Sequence, residues 1–306
     1  MEYSNPPIPD GINNPPDHPL KNLLILLGGA LALIVLAMYL LGLAAGYLAR
    51  HIPFSVEYDL ATHVLNAQSP DDKPRENSHT DPALTDYLQG LADRLVPYQN
   101  LPEGMTVTVH YSDTEAVNAF ATLGGHIFVT RGLLEKIPNE NALAMVLGHE
   151  IAHVKHRHPI ASLGRGVIIS LGIATVLGST GMDSVGGLLN DAGWLTQLSF
   201  SRSQERMADS DALTGLVGLY GTGAGATAPF ELFDRLQSQN LRVPEFLSTH
   251  PLNQARIQAL QRQIQEGGAT ADDTKLKPLP AFVRQALDER TPSAIPLGEC
   301  DTAEEQ

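Results

Sequence analysis

The sequence predicts an α+β fold, mostly helical with a small antiparallel sheet, behind one N-terminal transmembrane helix. Three observations carry this expectation. Leu23 to Ala49 (LLILLGGALALIVLAMYLLGLAAGYLA) is an apolar run of 27 residues without a charge. At about 1.5 Å rise per residue such a helix crosses a ~30 Å hydrocarbon core with room for tilt. Beyond it, apolar residues recur at helical spacing in several segments, and one short region between them alternates as strands do.

The elements follow in order. The first 22 residues hold six prolines and read as an extended, disordered tail. The apolar run at 23–49 is too long, and its start too poor in basic residues, for a cleaved signal peptide, so it reads as a retained anchor. Lys21 and Arg50 flank it almost symmetrically. A short tail before a large domain favours the main domain lying on the extracytoplasmic side of a single-pass protein. Residues 50–80 read as a linker, ending in the polar stretch QSPDDKPRENSHT. Asp81-Pro82 opens a helix whose Leu84, Leu88, Leu91 and Leu95 make one stripe.

Met105 to His110 alternates as a strand. Asn118 to Leu123 and His126 to Thr130 flank Gly124-Gly125 and read as a tight hairpin. Asn139-Glu140-Asn141 caps the next helix, which ends before Pro159. Gly166 to Gly178 is apolar but short, which leaves a core helix, a membrane-dipping segment or a flap over a cleft all open. Helices are expected at Ser201–Val217, Phe230–Ser238 and Asn253–Gln265. Residues 81–266 thus form the main domain, and 267–306 a loosely attached tail.

Composition narrows the classes of function. The chain has 306 residues, 43% of them apolar, and a net charge of −14. That balance argues against a nucleic-acid partner, because such affinity comes mainly from phosphate neutralisation. Cys300 is the lone cysteine, which excludes an intramolecular disulfide and a cysteine-built zinc site.

The chemistry lies in HEIAHVKHRH (His149 to His158). Residues four apart share a helix face, so His149 and His153 can turn imidazole nitrogens to one metal ion. Glu150, about 100° round, can face the same cleft and reach a water there. A third ligand is needed. The metzincin arrangement fails, because Pro159 and His156 stand where it requires histidine and glycine. SQERMADSD (Ser203 to Asp211) offers Glu205 and Asp209, again four apart. Glu205 can ligate, and Asp209 can accept the outer N–H of a ligand histidine.

Together these motifs resemble the gluzincin metalloproteases of the CaaX-prenyl-protease and HtpX type. NAFATLGGHIFVTRGLL (Asn118 to Leu134), LGHEIAHVKHRH, ERMAD (Glu205 to Asp209) and STHPLNQARIQAL (Ser248 to Leu260) occur in the family's order. The resemblance implies a zincin-like domain with one Zn²⁺ per chain, held by His149, His153 and Glu205, with Glu150 as general base. It implies a protein or peptide substrate docked by strand addition along Gly125, His126, Ile127 and Phe128, through to Thr130. His250 then serves as a displaceable fourth ligand, as a stabiliser of the tetrahedral intermediate, or structurally. Arg256 is expected to pair with an acid near the site.

YGTGAGATAP (Tyr220 to Pro229) departs from the family's usual turn after the third-ligand helix. The single anchor points toward a quality-control endopeptidase rather than prenyl-protein processing. The competing expectation is a membrane-tethered zinc-binding, chaperone-like or interaction module with little turnover. Oligomeric state is not legible.

Overall fold

A computed structural model describes residues 18–67, 81–177, 200–238, 246, 249–250, 254–268 and 270–289. The tail expected at 1–22 lies outside them up to residue 17, as do the polar stretch 68–80 and residues 290–306.

Helix α1 (Pro19–Ala49) is the apolar run extended by four residues, with Pro19 in its first turn. Among the described residues it is the one helix long and apolar enough to cross a membrane, and its leucines stand 50–70% exposed. The expected linker is not all linker. Helix α2 (Phe54–Ala67) occupies part of it and docks on the domain, with Glu57 and Ala61 buried. The sequence FSVEYDLATHVLNA does not announce this docking, because its contacts are made by a few side chains with distant partners.

Helix α3 (Pro82–Gln99) starts as its residues require. The Asp81 carboxylate accepts hydrogen bonds from the N–H groups of Ala83 and Leu84. Its leucine stripe, Leu84 to Leu95, is fully buried. Strand β1 (Thr108–Ser112), strand β2 (Ala119–Ala121) and strand β3 (His126–Thr130) form one sheet in the order β1-β3-β2. β2 and β3 pair antiparallel, as the hairpin reading requires, with Ala119 opposite Val129. β1 pairs parallel to β3, with Thr108 opposite His126, so the sheet is mixed rather than antiparallel. The reason is topological. The chain from β1 skips one place to reach β2, and the hairpin then turns β3 back into the gap. The turn needs its glycines. Gly124 and Gly125 have φ of 68° and 79°, and a Cβ on Gly125 would lie 2.0 Å from the Thr106 carbonyl oxygen.

After the short α4 (Arg131–Lys136), Asn139 caps α5 (Glu140–Lys155) by accepting from the Ala142 N–H at 2.8 Å. α5 is the central helix, buried from Glu140 to Val154. α6 (His158–Leu177) follows after Arg157, whose φ of 57° makes the corner. α7 (Arg202–Tyr220) begins with a reciprocal capping box between Ser201 and Gln204 and packs along α5. α8 (Ala228–Ser238) and α9 (Gln254–Glu266) close the domain. The expected loose tail contains α10 (Ala281–Asp288), whose Val283 and Leu287 join the main core with Leu279. Polar flanks hide an element whose apolar anchors are few.

Candidate metal centre

Two helices and the short stretch at His250 converge on a single point. α5 supplies His149, Glu150 and His153, α7 supplies Glu205 and Asp209, and His250 comes from the segment before α9. Ligating atoms of His149, His153, Glu205 and His250 all lie within 4.8 Å of one another, and all four residues are buried. His149 Nε2 is 3.0 Å from His153 Nε2, 3.2 Å from His250 Nδ1 and 3.5 Å from Glu205 Oε2. Glu205 Oε1 is 3.4 Å from His153 Nε2 and 3.0 Å from His250 Nδ1. A tetrahedron of donors at zinc's usual ~2.0–2.1 Å bond lengths has edges of about 3.3 Å. The donor set, three neutral-capable imidazoles and a carboxylate, therefore fits such an ion in spacing and in chemistry.

The surrounding groups hold the donors in register. Asp209 Oδ1 accepts from His149 Nδ1–H at 3.0 Å, which leaves the Nε2 lone pair for the cluster. Arg256 clamps Asp209 with two hydrogen bonds, at 2.8 and 2.7 Å, and reaches Glu205 Oε2 at 2.8 Å. His158 Nδ1 sits 2.9 Å from His153 Nδ1. Burial pushes His158 down to about 3, so it stays neutral and can accept the His153 N–H. Phe200 covers His153, with ring centroids 4.0 Å apart, and Phe246 stacks on His250 at 4.5 Å.

Charge in the cluster is strongly biased toward a cation. Burial favours the neutral Glu205 acid, yet the facing His250 and hydrogen bonds from His149 and His153 hold its carboxyl far below the ordinary range. Burial also disfavours protonated His149. Hydrogen bonds to Asp209 and Glu205 outweigh it and raise the imidazole to about 9. Glu150 differs. Burial raises its pKa, against the neighbouring histidines. One of its oxygens, Oε2, accepts from the Ala121 N–H at 2.8 Å. The other, Oε1, is buried without a hydrogen-bond partner, 3.6 Å from the equally orphaned Nε2 of His250. A carboxylate with one oxygen anchored and one free suits proton transfer.

The structure thus brings together His149, Glu150, His153, Glu205, Asp209, His250 and Arg256. It does not bring Gly125, His126, Ile127 and Phe128 to an edge. β3 is the middle strand, paired on both sides, so its backbone has no free ladder for a substrate. The edge beside the site is β2, tied to it by the Ala121 N–H. Sequence reasoning missed Ala121, Phe200 and Phe246. Ala121 acts through its backbone and leaves no signal in residue type. The role of His158 toward His153 was readable only as a repeated histidine.

Helix-borne imidazoles, a carboxylate from a second helix and an adjacent free glutamate define a metal centre of the metallopeptidase kind. The model of Peptidase family M48 matches residues 82–264, and the chain belongs to that family. The Beta-barrel assembly-enhancing protease of Yersinia pestis is 31% identical over 192 residues, covering 58% of this chain and 38% of that protein. Its counterpart in Escherichia coli (strain K12) is 31% identical over 193 residues, with the same coverage. Metalloendopeptidase OMA1, mitochondrial, of Danio rerio is 36% identical over 174 residues, 52% of this chain and 36% of that protein. The chain thus matches under two fifths of the length of these relatives.

Proposed function

We propose that the protein is a membrane-anchored zinc endopeptidase that hydrolyses peptide bonds in protein substrates. The observation that carries this is the four-donor cluster with the free Glu150 oxygen beside it. Bound among these donors, zinc supplies Lewis acidity toward water and the scissile carbonyl. Glu150 Oε1 takes the proton from the attacking water and returns it to the leaving nitrogen, while Oε2 stays on Ala121. His149, His153 and Glu205 hold the metal. Asp209 and Arg256 keep His149 and Glu205 oriented. His250 Nδ1 stands at the fourth corner, which a catalytic site keeps open, so turnover requires His250 to withdraw.

An extended substrate adds as a strand to β2. In the antiparallel ladder with β3, Thr130 N–H bonds Asn118 O and Thr122 N–H bonds His126 O. The Ala119 N–H and the Ala119 and Ala121 carbonyls therefore face the outer edge, while the Ala121 N–H is taken by Glu150. The relatives' names, a Beta-barrel assembly-enhancing protease and a mitochondrial metalloendopeptidase, support an endopeptidase acting on proteins. α1 serves as the anchor, with the domain on the extracytoplasmic side.

The deciding experiment measures zinc stoichiometry and casein cleavage for the parent and for Glu150→Gln. Retained zinc with cleavage reduced by about 10²–10⁴ is expected; cleavage at the parental rate overturns the mechanism. For sidedness, labelling of Cys300 by an impermeant maleimide in intact cells is the expected result. Labelling only after lysis overturns the extracytoplasmic placement.

A further inference from the structure

We infer that α6 is embedded in the lipid bilayer beside α1, as a re-entrant helix whose outer apolar face meets acyl chains. This rests on the reading of α1 as a membrane anchor.

α6 packs mainly on α1, and to a lesser extent on α5. α6 and α1 run antiparallel at close range through small residues. A Cβ built on Gly164 would lie 3.1 Å from the Ala45 carbonyl oxygen and 3.3 Å from the Ala49 methyl. One built on Gly46 would lie 3.3 Å from the Ala161 carbonyl oxygen, and one built on Gly172 would strike Met38. From Ala49 to Met38 the pairing runs about 17 Å along α1. That is over half the depth of a ~30 Å hydrocarbon core. α6 continues past this point to Leu177.

Charge and exposure fit the same placement. Arg165 is the last charged residue of α6, and its guanidinium lies over Gly46, one helical turn before Arg50 on α1. Both cations thus mark one level, where basic side chains sit against lipid phosphates. Beyond it α6 reads GVIISLGIATVL. Ile169 is 49% exposed and Leu171 36%, continuous with the exposed leucines of α1. A helix of the soluble core would have this face covered.

The path of the chain makes the excursion closed. α6 leaves the metal centre at His158, and the chain is back at Phe200, whose ring lies 5.9 Å from that of His158. A segment that starts and ends at one place crosses no net membrane. The helix carrying the first two metal ligands therefore hands directly into the bilayer, which holds the catalytic cleft at the membrane surface.

The test uses the full-length protein in phosphatidylcholine vesicles, with Cys300→Ser as background. Single cysteines are introduced as Ile169→Cys and Leu171→Cys on α6, Leu36→Cys on α1 and Gln261→Cys on the exposed face of α9, and labelled with bimane. Quenching is compared between acyl-chain nitroxide lipids and aqueous iodide. The two α6 sites are expected to match Leu36→Cys, with lipid quenching several-fold stronger than at Gln261→Cys. Lipid quenching at Leu36→Cys with iodide quenching at both α6 sites overturns the inference alone. Iodide quenching at Leu36→Cys as well overturns the anchor reading and the inference together.

Discussion

Glu57→Leu tests how α2, the helix after α1, is wired to the active site. Glu57 is 3% exposed. Its Oε2 accepts from Arg157 Nε at 2.8 Å and its Oε1 from the Gly124 N–H at 3.1 Å. Arg157, itself 8% exposed, sits in the corner between α5 and α6 and also donates to the Ile52 carbonyl at 2.9 Å. Removing the carboxylate strands a buried guanidinium and a buried N–H. Breaking one side of a buried pair costs about 3–5 kcal/mol. At about 2–4 °C per kcal/mol for a domain of this size, the melting temperature should fall on the order of 10 °C. The double variant Glu57→Leu, Arg157→Met removes both charges and should regain most of the loss, because a paired desolvation penalty disappears with the pair. Thermal unfolding of parent, single and double variants in one detergent measures both. A single variant within about 2 °C of the parent, or a double variant no more stable than the single, refutes the reasoning.

Other outcomes follow from the same contacts. Asp209→Ala removes the acceptor that orients His149 and should weaken zinc affinity by about 10–100-fold, read by competition with a chromogenic chelator. His250→Ala should keep zinc on the three remaining ligands and raise peptide cleavage by vacating the fourth corner; cleavage falling to the Glu150→Gln level would assign His250 to turnover instead. Burial and the neighbouring His126 lower His110 to about 4 from its ordinary 6.5. The unfolded chain therefore binds this proton first, so the contribution of His110 is full above pH 6.5 and is lost as pH falls toward 4. His110→Asn should show a shallower loss of stability across that window in urea midpoints, and an unchanged slope contradicts it.

Much of the site was legible because it is local. The spacing of His149 and His153 on one helix face follows from 3.6 residues per turn, and so does the pairing of Glu205 with Asp209. Asp81 and Asn139 announced two helix starts through side chains that can bond only the next few N–H groups. The leucine stripe of α3 is buried as its period requires. What failed was long-range. Nothing in HIFVT says that it will be flanked on both sides, and placing it at an edge followed from the hairpin alone. Nothing in FSVEYDLATHVLNA says that Glu57 will meet an arginine 100 residues on.

By itself the sequence determined the helix that groups His149, Glu150 and His153, the capped helix starts and the long apolar segment, because each depends on neighbours within about one or two helical turns. Only the tertiary structure decided that β2 is an edge strand, that His158 and Arg256 bond the clustered side chains, that His250 joins His149, His153 and Glu205, and that α6 lies along α1. Those depend on which surfaces meet across the chain. Packing, buried charge and backbone hydrogen bonds settle such meetings between residues that carry no mark of one another in sequence.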